Sequence, residues 1–289
     1  MIARAAEWWA GGSRIAGPGG HRIFVHTAGP ADAPVVTFLH GFPTSSLDWV
    51  GMFDRLRGER RLVALDFLGF GDSDKPRPHR YSLLEQADAV EAVWAHLGVG
   101  RTALVCHDYG VSVGQELLAR RDDRDLPVEI VSAAFLNGGM IPSLHRPLAI
   151  QKLLAHRFAG PVLTRLTTER TFVRGLRQVI ARPLADAELH EHWVAFANRR
   201  GRELGHPLLA YIAERVRYAS RWETAIARCD VPLRFVWGPL DPVSGDHMLA
   251  ELRLRRPDAH FAELAGVGHY PQLEEPEAVA RELRELRAE

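Results

Sequence analysis

Short, almost wholly apolar runs recur along the chain between stretches with helical patterning, and this alternation constrains the fold most. Pro34-Val35-Val36-Thr37-Phe38-Leu39-His40 offers almost no polar position for a solvent face. It reads as a strand buried on both sides of a sheet. Leu62 to Asp66, Thr102 to Cys106, Ile130 to Leu136, Leu233 to Trp237 and His260 to Leu264 repeat the theme, and Arg22 to Thr27 is a further strand. From Ser82 to Leu97 the period changes. Leu83, Ala87, Val90, Trp94 and Leu97 fall on one helical face, Ser82 and Glu85 have the spacing of a capping box, and Gly98 is a C-terminal stop. The chain closes on a helix from about Pro276, with Val279, Leu283 and Leu286 facing inward. Alternation of this kind predicts an α/β fold, a mostly parallel sheet flanked by helices.

The rhythm breaks once. Between Gly138 and Tyr218 no strand pattern is visible, and short helix-like pieces are interrupted by Pro142, Pro147, Pro161, Pro183 and Pro207. We read 138–218 as an all-helical cap inserted into a core formed by 1–137 and 219–289. The arginines of this segment, for example Arg165, Arg170, Arg174 and Arg177, read as solvated faces. Lys plus Arg and Asp plus Glu balance at 36 each, so no net field favours nucleic acid or an anionic membrane. Apolar runs are strand-sized, short of the roughly 20 residues a membrane span needs, and Glu7 interrupts the place of a signal peptide's apolar run. A soluble, cytoplasmic protein is expected. Cys106 and Cys229 are too few for a disulfide framework and read as small buried residues.

Four loops follow strands and should gather at the carboxyl edge of the sheet, where such folds bind ligands. In His40-Gly41-Phe42-Pro43-Thr44 the turn at Gly41 leaves the Phe42 amide as an oxyanion donor. Asp66-Phe67-Leu68-Gly69-Phe70-Gly71-Asp72-Ser73 lacks the third glycine of a dinucleotide fingerprint, since position 74 is Asp, and takes a structural role. The third loop holds two candidate nucleophiles. Cys106-His107-Asp108-Tyr109-Gly110 fits small-x-nucleophile-x-Gly after a strand, while Gly110-Val111-Ser112-Val113-Gly114 is a literal G-x-S-x-G. The apolar run ends at Cys106, so the apex falls on Asp108, and Gly110 onward reads as the first turn of a helix. The fourth loop group offers Asp241 in Trp237-Gly238-Pro239-Leu240-Asp241-Pro242 and His269 in Gly266-Val267-Gly268-His269-Tyr270-Pro271. Nucleophile, acid, histidine is the chain order of α/β-hydrolases. Asp246 is a distant second acid. The other place for an acid, after an earlier strand, holds the uncharged Asn137. His190-Glu191-His192 cannot converge on a metal, because helix positions two apart face apart.

An aspartate nucleophile is ionised at neutral pH and attacks without a base. His269, oriented by Asp241, then activates water against the ester, with the Phe42 and Tyr109 amides as the oxyanion hole. His40, His107, Trp49 and Tyr218 are expected to contact substrate. No cofactor and no metal are expected. The expected partners are water and a small apolar substrate, with neither nucleic acid nor membrane, and a homodimer is an assembly left open.

These stretches resemble the epoxide hydrolase and haloalkane dehalogenase branch of the α/β-hydrolases. More closely, the chain resembles the MEST (mesoderm-specific transcript) family. The matching segments are Pro43-Thr44-Ser45-Ser46, Ala64 to Gly71, Ser73 to His79, His107 to Gly110, Asn137-Gly138-Gly139, His145-Arg146-Pro147, Gly238 to Pro242 and His269 to Glu274. The resemblance implies the α/β-hydrolase fold with its cap after the sixth strand, and the same triad types at Asp108, Asp241 and His269. Haloalkane dehalogenases resemble His-Gly-Asn-Pro and His-Asp-Trp-Gly, whose Asn and Trp side chains grip the halide; here those places hold Phe42 and Tyr109. Epoxide hydrolases resemble His-Gly-Phe-Pro and use cap tyrosines to protonate the opening ring. Leu208-Leu209-Ala210-Tyr211-Ile212 resembles a MEST stretch and makes Tyr211 the expected acid, ahead of Tyr218. The early cap, Ile141 to His156, has no tyrosine. The expected activity is epoxide hydrolysis to a vicinal diol. The alternatives are haloalkane or haloacid dehalogenation, serine esterase chemistry through Ser112, and a non-catalytic ligand-sensing fold.

Overall fold

The computed structural model describes residues 4–123 and 125–287. The first three residues of the N-terminal stretch considered above lie outside the described residues. Strands β1 (Ser13–Ala16), β2 (Arg22–Ala28), β3 (Val35–Leu39), β4 (Arg61–Leu65), β5 (Arg101–His107), β6 (Glu129–Leu136), β7 (Leu233–Trp237) and β8 (His260–Glu263) form one sheet in the order β1-β2-β4-β3-β5-β6-β7-β8. The first two strands pair antiparallel, β2 runs antiparallel to β4, and the remaining pairs are parallel. The strand order turns back at β3 and β5, which is where such sheets open a crevice at their carboxyl ends.

The helices are α1 (Ala5–Ala10), α2 (Val50–Leu56), α3 (Leu83–Leu97), α4 (Tyr109–Asp122), α5 (Ala149–Ala155), α6 (Ala159–Arg165), α7 (Glu169–Arg177), α8 (Asp186–Ala197), α9 (Gly205–Leu208), α10 (Tyr211–Arg217), α11 (Ala219–Arg228), α12 (Asp246–Arg255), α13 (Pro271–Glu274) and α14 (Pro276–Arg284). The apolar runs are explained by burial on both faces. In β5, Leu104 and Cys106 join the core under α3, α4, α11 and α12, while Ala103 and Val105 join the core under α1, α2 and α14. Both cysteines are free and buried. Among the described residues, the stretch between β6 and β7 holds helices and no strand. Its α7 and α8 share a small core with Val243 and Tyr270.

Helix α3 starts and stops where expected, with Ser82 as N-cap and Gly98 left-handed at φ 63°. The capping box does not close. Ser82 Oγ accepts from the Leu84 amide at 3.2 Å, whereas Glu85 turns to His79 Nε2 at 2.8 Å. A paired imidazole outcompetes a bond back to the Ser82 amide. The loop after β4 is structural, as expected: Asp66 accepts from the Ser46 amide at 2.7 Å and the Asp72 amide at 2.8 Å. The His190-Glu191-His192 run diverges. His190 meets Glu169, Glu191 accepts from the Ala5 amide, and His192 is buried beside Asp48. Two elements had no strong pattern. Strand β1 is short and half-polar, and α1 is a six-residue helix.

Helix α4 crosses β3 so closely that a Cβ on Gly110 would lie 2.4 Å from the Leu39 carbonyl oxygen. Gly110→Ala must therefore push the helix off the strand. We expect a loss of about 1–3 kcal/mol in chemical denaturation, and an unchanged unfolding midpoint would refute this close approach.

Candidate active site

The site is assembled at the carboxyl ends of β3, β5, β6, β7 and β8. Strand β5 ends at His107, and the next residue makes the turn. Asp108 has φ 43° and ψ −98°, a backbone conformation that costs a residue with a Cβ on the order of 1–3 kcal/mol. Neighbouring segments hold it there. The Asp108 amide donates to the Asn137 carbonyl at 2.9 Å, and the Gly110 amide donates to the His40 carbonyl at 2.9 Å. The Asp108 side chain is thus presented at the head of α4. Ser112 lies one turn into α4, fully buried, and its Oγ accepts from Arg215 Nε at 2.7 Å. The aspartate, not the serine, occupies the turn.

Asp108 Oδ2 accepts from the Phe42 amide at 3.0 Å, and Oδ1 lies 4.0 Å from His269 Nε2. Tyr109 is the first residue of α4, where amides have no intrahelical carbonyl. On the other side of the ring, His269 Nδ1 meets Asp241 Oδ2 at 2.7 Å. Asp241 is itself held by the Val243 amide at 2.7 Å, Ser244 Oγ at 2.6 Å and Asn137 Nδ2 at 3.0 Å. Asp246 stays outside, with its side chain 82% exposed.

Burial alone would raise the Asp241 pKa, but the His269 charge and its hydrogen bond, then Ser244 and the Val243 amide, hold it well below the usual range. For His269 burial works downward. The Asp241 charge and hydrogen bond, then Asp108 and Glu274, more than reverse it, and the pKa is raised to about 9. Burial likewise pushes Asp108 up, and Arg215, then His269 and His107, bring it below the ordinary value.

Asp108, His269, Phe42 and Tyr270 form the floor of a cavity of about 310 Å³. Its walls are Leu148, Leu154 and Leu163 from the helical insertion, with Phe172, Leu176 and Val179, so the space suits an apolar molecule.

Four expected substrate contacts are corrected. His40 is wholly buried and used by the backbone: its Nε2 accepts from the Phe67 amide at 3.1 Å and Nδ1 meets the Gly41 carbonyl at 2.9 Å. His107 Nε2 donates to the His269 carbonyl at 2.7 Å, so it braces the histidine loop. Trp49 packs against Phe38 in the core, with ring centroids 5.2 Å apart. Tyr218 packs on Trp222 at 5.4 Å, beside α11. None of the four lines the cavity. Tyr211 does come to the site. It is buried, 5.3 Å from the Tyr109 ring and 5.9 Å from the Phe42 ring, just behind the cavity wall. Burial and the Asp108 charge push its pKa up, so it stays a protonated phenol.

Three contributors were not read from the sequence. Asn137 clamps Asp241 and also exchanges two bonds with Gly238, at 2.7 and 2.8 Å. In the sequence its place after β6 stands out as one lacking an acid and as part of the Asn137-Gly138-Gly139 segment, and neither points to a clamp on Asp241. Glu274 accepts from the Gly268 amide at 2.9 Å, the Tyr270 amide at 3.0 Å and the Ala181 amide at 2.8 Å, which fixes the histidine loop. Arg215 of α10 reaches Asp108 itself.

An aspartate at the strand–helix turn, with histidine and acid on later loops, defines a hydrolase of the α/β type. The profile of the alpha/beta hydrolase family matches residues 38–282, and the chain belongs to that family. It is 42% identical to the putative hydrolase LipZ of Mycobacterium tuberculosis over 282 residues, 97% of each chain. It is also 42% identical to the human mesoderm-specific transcript homolog protein over 288 residues, 96% of this chain and 86% of the other. The resemblance seen in the motifs thus extends along the chain. Among solved structures, haloalkane dehalogenase DbeA from Bradyrhizobium elkani superposes with a TM-score of 0.81 at 25% identity, covering 94% of this chain and 95% of that one. No helix among the described residues is long and apolar enough to cross a membrane.

Because the Asp108 carboxylate helps hold the proton on His269, Asp108→Asn lowers the His269 pKa from about 9 toward its ordinary 6.5. Imidazole NMR titration reads this directly; an unmoved midpoint would mean that Asp108 and His269 are not electrostatically coupled.

Proposed function

We propose that this hydrolase works through a covalent alkyl ester on Asp108 and that its reaction is of the epoxide hydrolase type. One observation carries the reading. The two carboxylate oxygens of Asp108 are differentiated: Oδ2 is bound by the Phe42 amide at 3.0 Å, whereas Oδ1 has only the longer neighbours Arg215 Nη2 at 3.4 Å and His269 Nε2 at 4.0 Å. That division is what two-step displacement requires. Oδ1 attacks an epoxide carbon and the C–O bond breaks. The ring oxygen takes a proton from the Tyr211 phenol, whose acidity exceeds that of the alcohol formed. Tyr211 stands behind the cavity wall, so a side-chain rotation toward Asp108 belongs to this step.

Hydrolysis of the ester follows. Esterification removes the negative charge on Asp108, and with it one of the influences that keep His269 protonated. His269 returns a proton, through water, to the Tyr211 phenolate left by ring opening, then takes one from the water that attacks Cγ of Asp108. The oxyanion grows on Oδ2, where the Phe42 amide already points, with the Tyr109 amide as second donor. Collapse passes the proton of the added hydroxyl to the departing alkoxide, which releases the diol and restores the carboxylate. Asp241 orients the ring throughout. In this reading, residues 138–218 act as a cap whose leucines and phenylalanine shape an apolar substrate pocket. The place of action is proposed to be the cytoplasm.

Dehalogenation is the second reading, supported by the likeness to DbeA. It shares the attack by Asp108 and the hydrolysis of the ester, but the halide leaves as an anion and takes no proton from Tyr211. Phe42 and Tyr109 bring no side-chain N–H to a departing halide, which supports the epoxide. A serine esterase mechanism through Ser112 has no support in the geometry, since that hydroxyl is buried against Arg215.

His269→Ala separates the two steps, because the ester can form without being hydrolysed. Incubated with a panel of epoxides and haloalkanes, the variant should gain the mass of one substrate on Asp108, located by peptide mapping. Diol from the wild type, lost in Tyr211→Phe, supports epoxide opening; halide release without diol shifts the assignment to dehalogenation. No adduct with any substrate sinks the carboxylate mechanism.

A further inference from the structure

Arg215 is among the largest buried side chains in the protein, 2% exposed, and it comes from the helical insertion rather than from the sheet. A guanidinium cannot shed its charge, so burying one is strongly unfavourable unless the charge is met. Here it is met at the catalytic turn. Nη2 donates to the main-chain carbonyl of Asp108 at 2.7 Å and lies 3.4 Å from Oδ1; Nε donates to Ser112 Oγ at 2.7 Å. The guanidinium carbon sits 4.5 Å over the Tyr211 ring. Nothing in the two-step mechanism uses Arg215 or Ser112, and the G-x-S-x-G match is otherwise without purpose.

We propose that Arg215, seated on Ser112, is a positioning residue that fixes the Asp108 turn and carboxylate for attack. The inference rests on the reading of Asp108 as nucleophile. The distances support positioning rather than neutralisation. The short bond goes to the backbone carbonyl of the strained residue, and the longer contact leaves Oδ1 available to a substrate carbon. Ser112 Oγ, one turn along α4, restrains the guanidinium from swinging onto that oxygen. The serine is thus a rest for an arginine.

Charge adds to geometry. The titratable and charged groups facing Asp108 are Arg215 from α10, His269 and Tyr270 from the loop after β8, His107 at the end of β5, His40 and Asp48 from the segment after β3, and His145 and Tyr211 from the insertion. Burial keeps His40, His107 and His145 toward the neutral form and raises the Asp48 pKa. That leaves His269 and Arg215 as cations. His269 must lose its proton in each turnover, whereas an arginine keeps its charge at every working pH. Arg215 is the constant positive charge beside the nucleophile.

The test uses the full chain in a His269→Ala background, which traps the ester and removes the competing cation. Styrene oxide and 1-bromobutane serve as alkylating probes, with adduct formation followed by intact mass from pH 4 to 8. Asp108 titration is read from 13C-carboxyl shifts. Arg215→Met should move the titration and the acid limb of alkylation up by about one pH unit or more. It should also slow adduct formation at pH 7 by about tenfold, since the turn loses its anchor. Arg215→Lys should restore the titration but not the rate, because an ammonium cannot span both Asp108 and Ser112. Ser112→Ala should slow alkylation without moving the titration, and it stands in if Arg215→Met fails to fold. An Arg215→Met protein with wild-type melting and unchanged profiles overturns the inference, as does Ser112→Ala with unchanged rate. Absence of any Asp108 adduct in the parent His269→Ala protein would instead refute the nucleophile reading. The 13C titration would then still show whether Arg215 holds the carboxylate.

Discussion

The structure depends on one backbone turn. Asp108 sits at φ 43°, where only glycine is comfortable, and the site exists because that conformation is held. Asn137 takes its amide, Arg215 its carbonyl, and the Gly110 amide ties the start of α4 to His40, just after β3. A strained residue persists only where its surroundings over-determine it. Here the surroundings are two neighbouring pieces of the sheet's carboxyl edge and one helix of the insertion. The strain delivers a carboxylate whose two oxygens face different partners.

The electrostatics have the same economy. His269 lies between two carboxylates, Asp241 at 2.7 Å and Asp108 at 4.0 Å, and is held protonated by both. Only Asp108 changes charge in the proposed reaction. In the proposed mechanism the base is therefore switched by the step before it. A histidine raised this far is a poor base in the resting site and a better one once the ester exists.

Much of the fold was legible because buried parallel strands leave little room for ambiguity. β3, β5 and β6 carry apolar side chains on both faces, and the sequence runs are correspondingly unbroken. The choice of Asp108 over Ser112 followed from where the apolar run of β5 stops. Asp241 and His269 were legible from their order and their loops. What was not legible depended on who meets whom in space. His40 and Trp49 sit in the right segment, yet one is spent on backbone amides and the other on Phe38. Asn137 was passed over because it is uncharged, although its amide clamps the acid loop. Arg215 is one arginine in a segment rich in them, and no local pattern separates it from those with solvated faces. The Ser82–Glu85 spacing was real, but a histidine outside the helix claimed the glutamate.

Glu274 leads to a different kind of consequence. Its carboxylate ties the amides of Gly268 and Tyr270, on either side of the proposed base, to those of Ala181 and Arg182, while the His269 amide binds the Val179 carbonyl. The histidine loop is therefore sewn to the insertion along a seam at 179–182. Modular grafting of a foreign insertion onto this core cannot respect the strand boundaries alone. A graft that keeps the native seam leaves the base in register, and one that cuts through it exchanges the pocket and unseats the histidine together. In an engineered chimera of this protein the insertion and its stitch therefore form one unit of exchange.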